Sequence, residues 1–388
     1  MNFEFATAEQ IIFGPGTVQR VGELAQGLGQ RALVVRESSA SRAAPALEAL
    51  EKAGVQAVSF AMLHEPTTDR VGEGVELARE AGCDLVVGIG GGSAIDGGKA
   101  IAALLANGGA PLDYLEVIGR GQPITRSSVP YIAIPTTAGT GAEVTANAVL
   151  ASPEHKVKVS LRSPLILPRI AIVDPLLTHS MPPEVTASTG LDALTQIIEP
   201  YVSRHANPIT DTLCREGLFR AAESLLQVYQ HGDDATSREN MALVSLFGGL
   251  ALANAKLGAV HGFAGVIGGM YDAPHGVICG RLLPLVMAAN VESLTSHAHE
   301  SPTLARALER YDEIAVILTG DFEAPARVGV LWVRELFGEL DVPGLATYGV
   351  QASDFPEIIE KTQRSSSMKG NPISLTDGEL AGILRQAL

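Results

Sequence analysis

The chain has 388 residues, which is long enough for two domains that each bury a sizeable core. Hydrophobic residues make up 46% of it and charged residues 18%, as in a compact globular enzyme. The formal net charge of −15 disfavours nucleic acid and anionic membranes as partners, because both attract basic surfaces. We therefore expect a small-molecule substrate.

The cysteines and the N-terminal residues indicate the compartment in which the protein is expected to reside. Cys83, Cys214 and Cys279 are too few and too scattered for a disulfide framework or a CxxC metal site, and we interpret all three as buried apolar filler. Residues 1–10 lack the basic and apolar regions of a signal peptide, and no window reaches the ~18–20 uninterrupted apolar residues of a membrane span. We expect a soluble, unprocessed protein of the reducing cytoplasm.

The first 180 residues alternate strand and helix patterns. Residues 3–13 predict a short hairpin or an edge pair of strands, and such an exposed edge favours pairing with a second subunit. Further strands are predicted at 31–36, 56–60, 83–89, 130–135, 156–159 and 170–174, with helices at 18–28, 43–53 and 71–81. This alternation is typical of a parallel α/β layer.

The strand that ends at Ile89 runs directly into four residues, Gly90, Gly91, Gly92 and Ser93, and then into a helix. Bare backbone N–H groups at a helix N-terminus favour a phosphate. The loop lacks the third glycine of the usual dinucleotide fingerprint, and the best candidate acid for a ribose, Glu37, precedes the loop instead of following it. The loop is either a dinucleotide site with a different arrangement of glycines and ribose-binding acid or only a tight strand-to-helix turn.

A second loop, residues 136–143, brings threonine hydroxyls and two more glycines to the end of the next strand, the edge where α/β proteins bind ligands. A plain turn with satisfied threonines is the alternative, but two such loops in one domain favour cofactor binding. Lys158 lies on a predicted strand. Lys158 either contacts a phosphate or carboxamide group of the cofactor, or it is a charged residue that keeps an edge strand from pairing with another chain.

From Pro182 and Pro183 onward the pattern becomes helical. Helices are predicted at 187–202, 208–228, 238–258, 284–296, 301–317 and 326–337, and no strand pattern of comparable strength appears. We place a domain boundary near residue 180. The predicted architecture is an α/β domain over residues 1–180 and an all-helical domain over residues 181–388.

Two histidines in the helical half, His261 and His275, are fourteen residues apart. On one straight helix they would be separated by about 21 Å, too far to share a ligand. Gly268 and Gly269 predict a helix stop, and Tyr271 begins a turn that returns the second imidazole towards the first. The two rings are therefore expected to face one point.

Asp192 and Gln196 lie at positions i and i+4 of a predicted helix and therefore share a face. With His261 and His275 they form an oxygen and nitrogen ligand set suited to Zn²⁺ or Fe²⁺, in which Gln196 is a weak fourth ligand. Histidines in such small-residue helices are otherwise satisfied core or surface side chains.

Five ordered segments carry a family resemblance: GGGSAIDGGK, PTTAGTGAEVT, STGLDALTQIIEPYVS, LGAVHGFAGVIGGMYDAPHGVICGRLLP and GNPISLTDGEL. Together they resemble the iron-containing (group III) alcohol dehydrogenase family of the dehydroquinate synthase-like fold, over nearly the whole chain. The resemblance implies an NAD(P)-binding α/β domain, a helical metal-bearing domain, a cleft between them and a homodimer. It also implies interconversion of an alcohol and an aldehyde or ketone by hydride transfer, with a divalent metal polarising the substrate oxygen.

The resemblance assigns roles residue by residue. Asp192, His261 and His275 match the family's metal ligands. Cofactor contacts are implied for the glycine loop and the residues that follow it: Gly91, Gly92, Ser93, Asp96, Thr136, Thr137, Thr140 and Lys158. Glu37 stands where the family often has an acid that binds the adenosine ribose. This favours NAD over NADP, although the adjacent Arg36 would favour NADP.

This sequence departs from the family at two positions. Gln196 stands in place of a further histidine ligand, and Gly265 in place of a histidine one turn after His261. A neutral amide oxygen holds Zn²⁺ or Fe²⁺ less tightly than an imidazole, so the site is a three-ligand site, a weakly loaded one or a metal-free one. The departures leave open a metal-free reductase of an acidic substrate, similar to the maleylacetate reductases.

Two other functions stay open from the sequence. One is an NAD-dependent lyase of the dehydroquinate synthase type, and the other is a binding protein that has lost catalysis. Lys256 and Lys369 are either cations that select an acidic aldehyde or keto acid or simply solvated lysines.

Overall fold

The structure is a computed structural model that describes residues 2–155 and 157–388. Its chain forms two compact units, Phe5–Ser180 and Met181–Leu388, and residues 2–4 belong with the second. The first unit has a parallel sheet and the second is helical, which confirms the predicted fold class.

The first unit contains eight strands among the described residues: β1 (Gln10–Phe13), β2 (Arg31–Arg36), β3 (Gln56–Ala61), β4 (Leu85–Gly90), β5 (Tyr131–Pro135), β6 (Asn147–Ser152), β7 (Val157–Arg162) and β8 (Ile170–Val173). Its α-helices are α1 (Val21–Gln26), α2 (Ala40–Lys52), α3 (Thr68–Glu80), α4 (Gly92–Asn107) and α5 (Pro111–Tyr114). Six strands form one parallel sheet in the order β1-β8-β5-β4-β2-β3.

Both faces of this sheet are buried, which explains why its central strands are continuous apolar runs. In β2, Leu33 and Val35 enter the core on the face covered by α3 and α4. Ala32 and Val34 enter the core on the opposite face, which α1 and α2 cover. Successive side chains of a strand point to opposite faces of the sheet, so one short apolar strand contributes side chains to both hydrophobic cores.

The carboxyl ends of β2 and β4 lie side by side, because Arg36 pairs with Ile89 in parallel register. The helix after β2 packs on one face of the sheet and the helix after β4 on the other. Open α/β sheets bind ligands in the crevice at such a switch point. The sequences that follow these two strands therefore line the expected binding edge.

Two strand predictions need correction. β1 is an edge strand that pairs in parallel with β8, so the hairpin alternative for residues 3–13 is wrong. The strand predicted at 156–159 is not part of the parallel layer, because β7 pairs antiparallel with β6 in a separate two-stranded sheet. Lys156, its predicted first residue, lies outside the described residues. The alternation of charged and apolar residues in β7 is typical of such a half-exposed antiparallel strand.

The second unit contains nine α-helices in its described residues: α6 (Pro183–Val202), α7 (Pro208–Gln230), α8 (Ala235–Ala255), α9 (Ala259–Met270), α10 (His275–His297), α11 (Pro302–Thr319), α12 (Ala326–Glu339), α13 (Phe355–Arg364) and α14 (Asp377–Ala387). Three of them begin with proline, whose missing N–H costs nothing at the first helical position. Two of these helices, α13 and α14, are not predicted from the sequence pattern.

The chain bends sharply on both sides of α9. α8 ends at Ala255, and its C-cap residue Lys256 has a positive φ of 61°, which is rare for a residue with a Cβ. The axes of α8 and α9 are bent by 99° at this break. α9 ends at Met270, close to the stop predicted from Gly268 and Gly269. α10 begins at His275 and not at Pro284, which lies inside the helix.

α10 is a core helix of the second unit. Extended to Glu300, it is long and apolar enough for a membrane span, with a mean hydropathy of 1.4. However, 61% of that window is buried inside the protein, and the bent pair of α8 and α9 also meets the same length and composition test. The apolar composition is therefore accounted for by packing within the helical unit.

Candidate metal centre and cofactor loops

Three helices of the second unit bring the predicted ligands together. Asp192 comes from α6, His261 from the first turn of α9, and His275 is the first residue of α10. Asp192 Oδ1 lies 3.3 Å from His261 Nε2 and 3.8 Å from His275 Nε2. The two imidazole rings are 5.5 Å apart between centroids. The break between α9 and α10 thus returns the second ring to the first, as the sequence predicts.

The atoms that face this point have no other partner. Asp192 Oδ1 and His261 Nε2 are buried and have no hydrogen-bond partner among the residues that the structure describes. Leaving such buried polar atoms unpaired costs about 1–3 kcal/mol each, so their accumulation at one point needs an explanation. A divalent cation would satisfy both atoms at once, and the carboxylate and imidazole donors fit Zn²⁺ or Fe²⁺.

Glu199, two turns after Asp192 on α6, fixes the orientation of His261. Its Oε2 lies 2.7 Å from His261 Nδ1, and its Oε1 accepts the backbone N–H of Val260 at 2.7 Å. A carboxylate at Nδ1 keeps the proton on that nitrogen, which leaves the lone pair of Nε2 facing Asp192. Glu199 is not among the residues predicted from the sequence, although its spacing of seven from Asp192 places both on one face of a helix.

The electrostatics of the cluster favour positive charge. Burial by itself raises the pKa of Asp192, but the neighbouring imidazoles of His261 and His275 hold that pKa below its ordinary value. Burial opposes protonation of His275, yet the nearby Cys279 and Asp192 raise its pKa to about 9. A site that draws protons in this way supplies the negative potential that a divalent cation needs.

Two further side chains, those of Cys279 and Gln196, lie near Asp192. Cys279 is buried, and its Sγ forms a group with ligand atoms of Asp192, His261 and His275 that all lie within 4.8 Å of one another. Gln196 is also buried, and its Oε1 has no hydrogen-bond partner in the described part of the chain. The filler interpretation of Cys279 therefore misses its place in the cluster, and a ligand role for Gln196 stays a prediction.

The two predicted loops of the first unit are in contact with each other at the switch point. A Cβ added to Gly92 would lie 2.9 Å from Thr140 Cγ2, and one added to Gly91 would lie 3.5 Å from Thr137 Cγ2. Gly90 has a φ of 152°, and a Cβ there would lie 3.4 Å from the Cβ of Glu37. The 2.9 Å approach at Gly92 and the positive φ of Gly90 favour glycine, whereas the space at Gly91 would admit a Cβ.

The N-terminus of α4 faces this edge. Gly91 is its N-cap residue, and no side chain of the described residues caps it. Gly91, Gly92 and Ser93 are only half-buried, so their backbone N–H groups are accessible at the positive end of the helix dipole. The hydroxyl of Thr136 is buried and, within the described residues, unpaired. The arrangement suits a phosphate group.

Asp96 and Lys158 are engaged within the protein. Asp96 accepts the backbone N–H of Val149 at 3.0 Å and pairs with Lys99 at 3.3 Å. Lys99 is fully buried and also donates to two backbone carbonyls, and burial raises the pKa of the neighbouring Glu143 to about 7. Lys158 Nζ pairs with Glu65 at 3.0 Å. These contacts connect α4 to β6, and β7 to the loop between β3 and α3. A cofactor role for Asp96 and Lys158 stays a prediction.

The charged residues after β2 are arranged as pairs. Glu37 Oε1 lies 3.0 Å from Arg42 Nη1. Arg36 donates to Ser59 Oγ and to the carbonyls of Glu37 and Ser38, so its guanidinium is held by the backbone and directed away from the carboxylate. The cation beside the Glu37 carboxylate is therefore Arg42, which the sequence analysis does not single out.

Lys256 and Lys369 are exposed, and both interact with His205. Burial lowers the pKa of His205, and the charge of Lys256 lowers it further. This basic surface belongs to the helical unit. Selection of an acidic substrate by these lysines stays a prediction.

Comparisons with known proteins agree along almost the full length. A sequence model described as "Iron-containing alcohol dehydrogenase" matches residues 8–175, and one described as "Fe-containing alcohol dehydrogenase family, C-terminal" matches residues 186–388. The chain is 34% identical to the 1,3-propanediol dehydrogenase of Klebsiella pneumoniae, over 99% of this chain and 98% of that one.

Two further similarities concern a second relative and a solved structure. The chain is 32% identical to the NAD-dependent methanol dehydrogenase of Bacillus methanolicus, over 97% of each chain. A crystal structure of a 1,3-propanediol oxidoreductase superposes with a TM-score of 0.91 at 33% identity and covers 100% of both chains.

Proposed function

Because this chain belongs to the iron-containing alcohol dehydrogenase family and is an oxidoreductase of that family, we propose that it interconverts a small alcohol and its aldehyde or ketone with NAD and a bound divalent metal. The observation that supports the metal is the convergence of Asp192 Oδ1, His261 Nε2 and His275 Nε2, two of which are buried and unpaired within the described residues.

In this proposal Asp192, His261 and His275 hold Fe²⁺ or Zn²⁺, with Gln196 as a weak additional ligand. The metal, when bound, supplies Lewis-acid polarisation of the substrate oxygen. Glu199 orients His261 and keeps its proton on Nδ1. The side chain of His275 is 40% exposed, whereas those of Asp192 and His261 are buried, so the substrate reaches the centre from the side of His275.

The glycine loop and the threonine loop bind the dinucleotide in this proposal. Gly91, Gly92 and Ser93 direct backbone N–H groups to the phosphates, and Thr136, Thr137 and Thr140 supply hydroxyls. Glu37 accepts the ribose hydroxyls, which favours NAD because a carboxylate repels the 2′-phosphate of NADP. The name of the methanol dehydrogenase relative, which specifies NAD, supports the same choice.

The substrate we propose is a short aliphatic alcohol or aldehyde, as the names of the propanediol and methanol dehydrogenases suggest. Gly265 lies one turn after His261, is exposed, and would meet nothing within 4 Å if it carried a Cβ. This glycine leaves room beside the imidazole. Among the alternatives, the similarities to dehydrogenases do not favour the metal-free reductase, the lyase or the binding protein.

A homodimer and a cytoplasmic location complete the proposal. β1 forms one edge of the six-stranded sheet, and edge strands offer unpaired backbone groups to a second copy. Three free cysteines fit a reducing compartment. Light scattering on the purified protein tests the dimer, and a monomer at micromolar concentration would contradict it.

One experiment separates these functions. Elemental analysis of the purified protein is combined with NADH and NADPH oxidation on a panel of neutral and anionic aldehydes of matched length. We expect one divalent ion per chain, oxidation of NADH by short neutral aldehydes, and loss of both metal and activity in Asp192→Asn. Full activity without metal would favour the metal-free reductase, and substrate turnover without net change in NADH would favour the lyase.

A further inference from the structure

Cys279 lies one helical turn after His275 on α10, so both side chains project from one face of that helix. The residue is fully buried. Its Sγ, one oxygen of Asp192 and one nitrogen each of His261 and His275 all lie within 4.8 Å of one another. A thiol in this place is surrounded by metal-ligating groups from three different helices.

Cys214 provides a contrast within the same unit. It is as buried as Cys279, but its neighbours are the charged side chains of Asp211, Arg215 and Arg310 on α7 and α11. Burial raises the pKa of the Cys214 thiol, as expected of an inert structural cysteine. Burial alone therefore does not distinguish the two cysteines, whereas their surroundings do.

The two distances between Asp192 and the imidazoles fit a tetrahedral centre. Metal bonds of about 2.1–2.3 Å place the ligands of a tetrahedron about 3.4–3.8 Å apart. The two pairs that Asp192 Oδ1 forms with the imidazoles measure 3.3 and 3.8 Å. Three ligands in this arrangement leave one corner for the neutral oxygen of Gln196 or the sulfur of Cys279, and a zinc centre that expands to five ligands still admits the substrate oxygen.

We propose that Cys279 provides the fourth ligand of the metal centre as a thiolate, an assignment that rests on the metal-dependent function proposed above. As the metal–sulfur bond forms, the S–H bond breaks and its proton leaves to solvent, with no change in oxidation state. A thiolate carries a full negative charge and is a far stronger ligand for borderline cations than an amide oxygen. Cys279 thus compensates for the glutamine at position 196.

The assignment also bears on which metal the protein retains. A set of one carboxylate, two imidazoles and one thiolate is softer than a set of oxygens and imidazoles, and thiolates favour Zn²⁺ over Fe²⁺ and Mn²⁺. We therefore expect zinc to outcompete ferrous iron for the full-length protein at equal free concentrations.

X-ray absorption at the zinc edge of the zinc-loaded protein tests the assignment directly. We expect one sulfur at about 2.3 Å, with the remaining ligands at about 2.0–2.1 Å. Cys279→Ser should lose the sulfur shell and bind zinc at least ~10-fold more weakly. Cys214→Ser is the matched control, and it should keep both the sulfur shell and the wild-type affinity.

The cobalt-loaded protein gives a second readout that does not depend on catalysis. A sulfur-to-cobalt charge-transfer band is expected in the near ultraviolet for the wild type and for Cys214→Ser, and it should be absent in Cys279→Ser. Gln196→Ala should bind zinc with nearly wild-type affinity. A larger loss in Gln196→Ala than in Cys279→Ser would overturn the assignment.

Failure of this inference is distinguishable from failure of the proposed function. Bound zinc with only nitrogen and oxygen ligands in the wild type would overturn the Cys279 assignment and leave the metal-dependent dehydrogenase intact. A wild-type protein that binds no divalent ion would overturn both. The wild-type spectrum decides the matter even where a variant fails to fold.

Discussion

In the proposed metal centre Glu199 acts through His261, without touching the expected position of the ion. One of its oxygens lies against His261 Nδ1 and the other accepts the N–H of Val260. The same carboxylate therefore fixes the ring and the start of α9, the helix that carries the ring. Such outer carboxylates set the tautomer and basicity of a histidine ligand.

Glu199→Gln should weaken metal binding by about 10–100-fold, which a competition titration with a chromophoric chelator measures. An amide N–H facing Nδ1 would move the imidazole proton to Nε2 and remove the lone pair that faces Asp192. Glu313→Gln is the control, because that carboxylate pairs with Arg215 and Tyr201 in the same unit. Equal losses in both variants would indicate a structural effect only.

Glu37→Ser should raise the ratio of kcat/KM for NADPH to that for NADH by roughly tenfold, about 1.4 kcal/mol. The substitution removes the carboxylate that repels a 2′-phosphate and frees Arg42, which now pairs with it at 3.0 Å. The double variant Glu37→Ser with Arg42→Ala should lose the gain. Equal use of both cofactors by the wild type would refute the NAD preference.

The candidate ligands Asp192, His261 and His275 were within reach of sequence reasoning, because a glycine pair and a turn between two histidines predict a bend. Cys279 could not be added to this set from the sequence, because Pro284 predicts a helix start at 284 whereas α10 begins at His275. A proline is tolerated inside a helix where packing holds the flanking turns, and only the resulting i and i+4 spacing relates Cys279 to His275.

The β4–α4 turn depends on contact with the loop that follows β5. Gly92 is the first residue of α4, and the stiff side chain of Thr140 closes over it. Two loops that touch in this way bring segments almost fifty residues apart in the chain to one edge of the sheet. A change in one loop is therefore expected to displace the other.

Gly92→Ala should weaken NADH binding by roughly tenfold or more, as measured by fluorescence titration, because the new Cβ displaces Thr140 from the phosphate edge. Gly72→Ala in α3 is the matched control, since a Cβ there meets nothing within 4 Å. That variant should keep NADH affinity and gain about 0.5–1 kcal/mol of stability, the usual benefit of alanine in a helix. Unchanged NADH binding in Gly92→Ala would exclude the loop as the phosphate site.

Buried elements were easier to predict than half-buried ones. The apolar runs of β2, β4 and β5 are buried on both faces, so composition alone reveals them. α13 is a different case, because its sequence FPEIIEKTQR is mostly polar and only a few side chains, such as Ile358, are buried. Short helices of this kind owe their stability to packing against the rest of the unit, which a local pattern does not record.

Each unit of the molecule contains one of the two candidate sites: the first unit has the cofactor-binding loops, and the second has the metal-ligating side chains. The glycine and threonine loops lie wholly within Phe5–Ser180, and the metal-ligating side chains lie wholly within Met181–Leu388. The two sets can therefore be studied separately by their effect on the stability of their own unit. Ligands stabilise the region they bind in proportion to the logarithm of their concentration.

Zinc should slow amide hydrogen exchange most in α6, α9 and α10, whereas NADH should slow it most in the turn between β4 and α4 and in residues 136–140. At a hundredfold excess over the dissociation constant, zinc should stabilise its unit by about 2.7 kcal/mol. Mass spectrometry of peptides from each unit measures both effects, and excess chelator should reverse the first. Zinc protection centred on the parallel sheet would contradict the assignment of the metal ligands.

The first turn of α9 is capped by side chains that are distant in sequence, since Asn371 accepts the N–H of Ala259 and Glu199 that of Val260. A nascent polypeptide emerging from the ribosome cannot complete this cap until Asn371 has been synthesised. Insertion of the ion is therefore expected after translation has finished, so the availability of metal in the cell would act on the released protein and not on its synthesis.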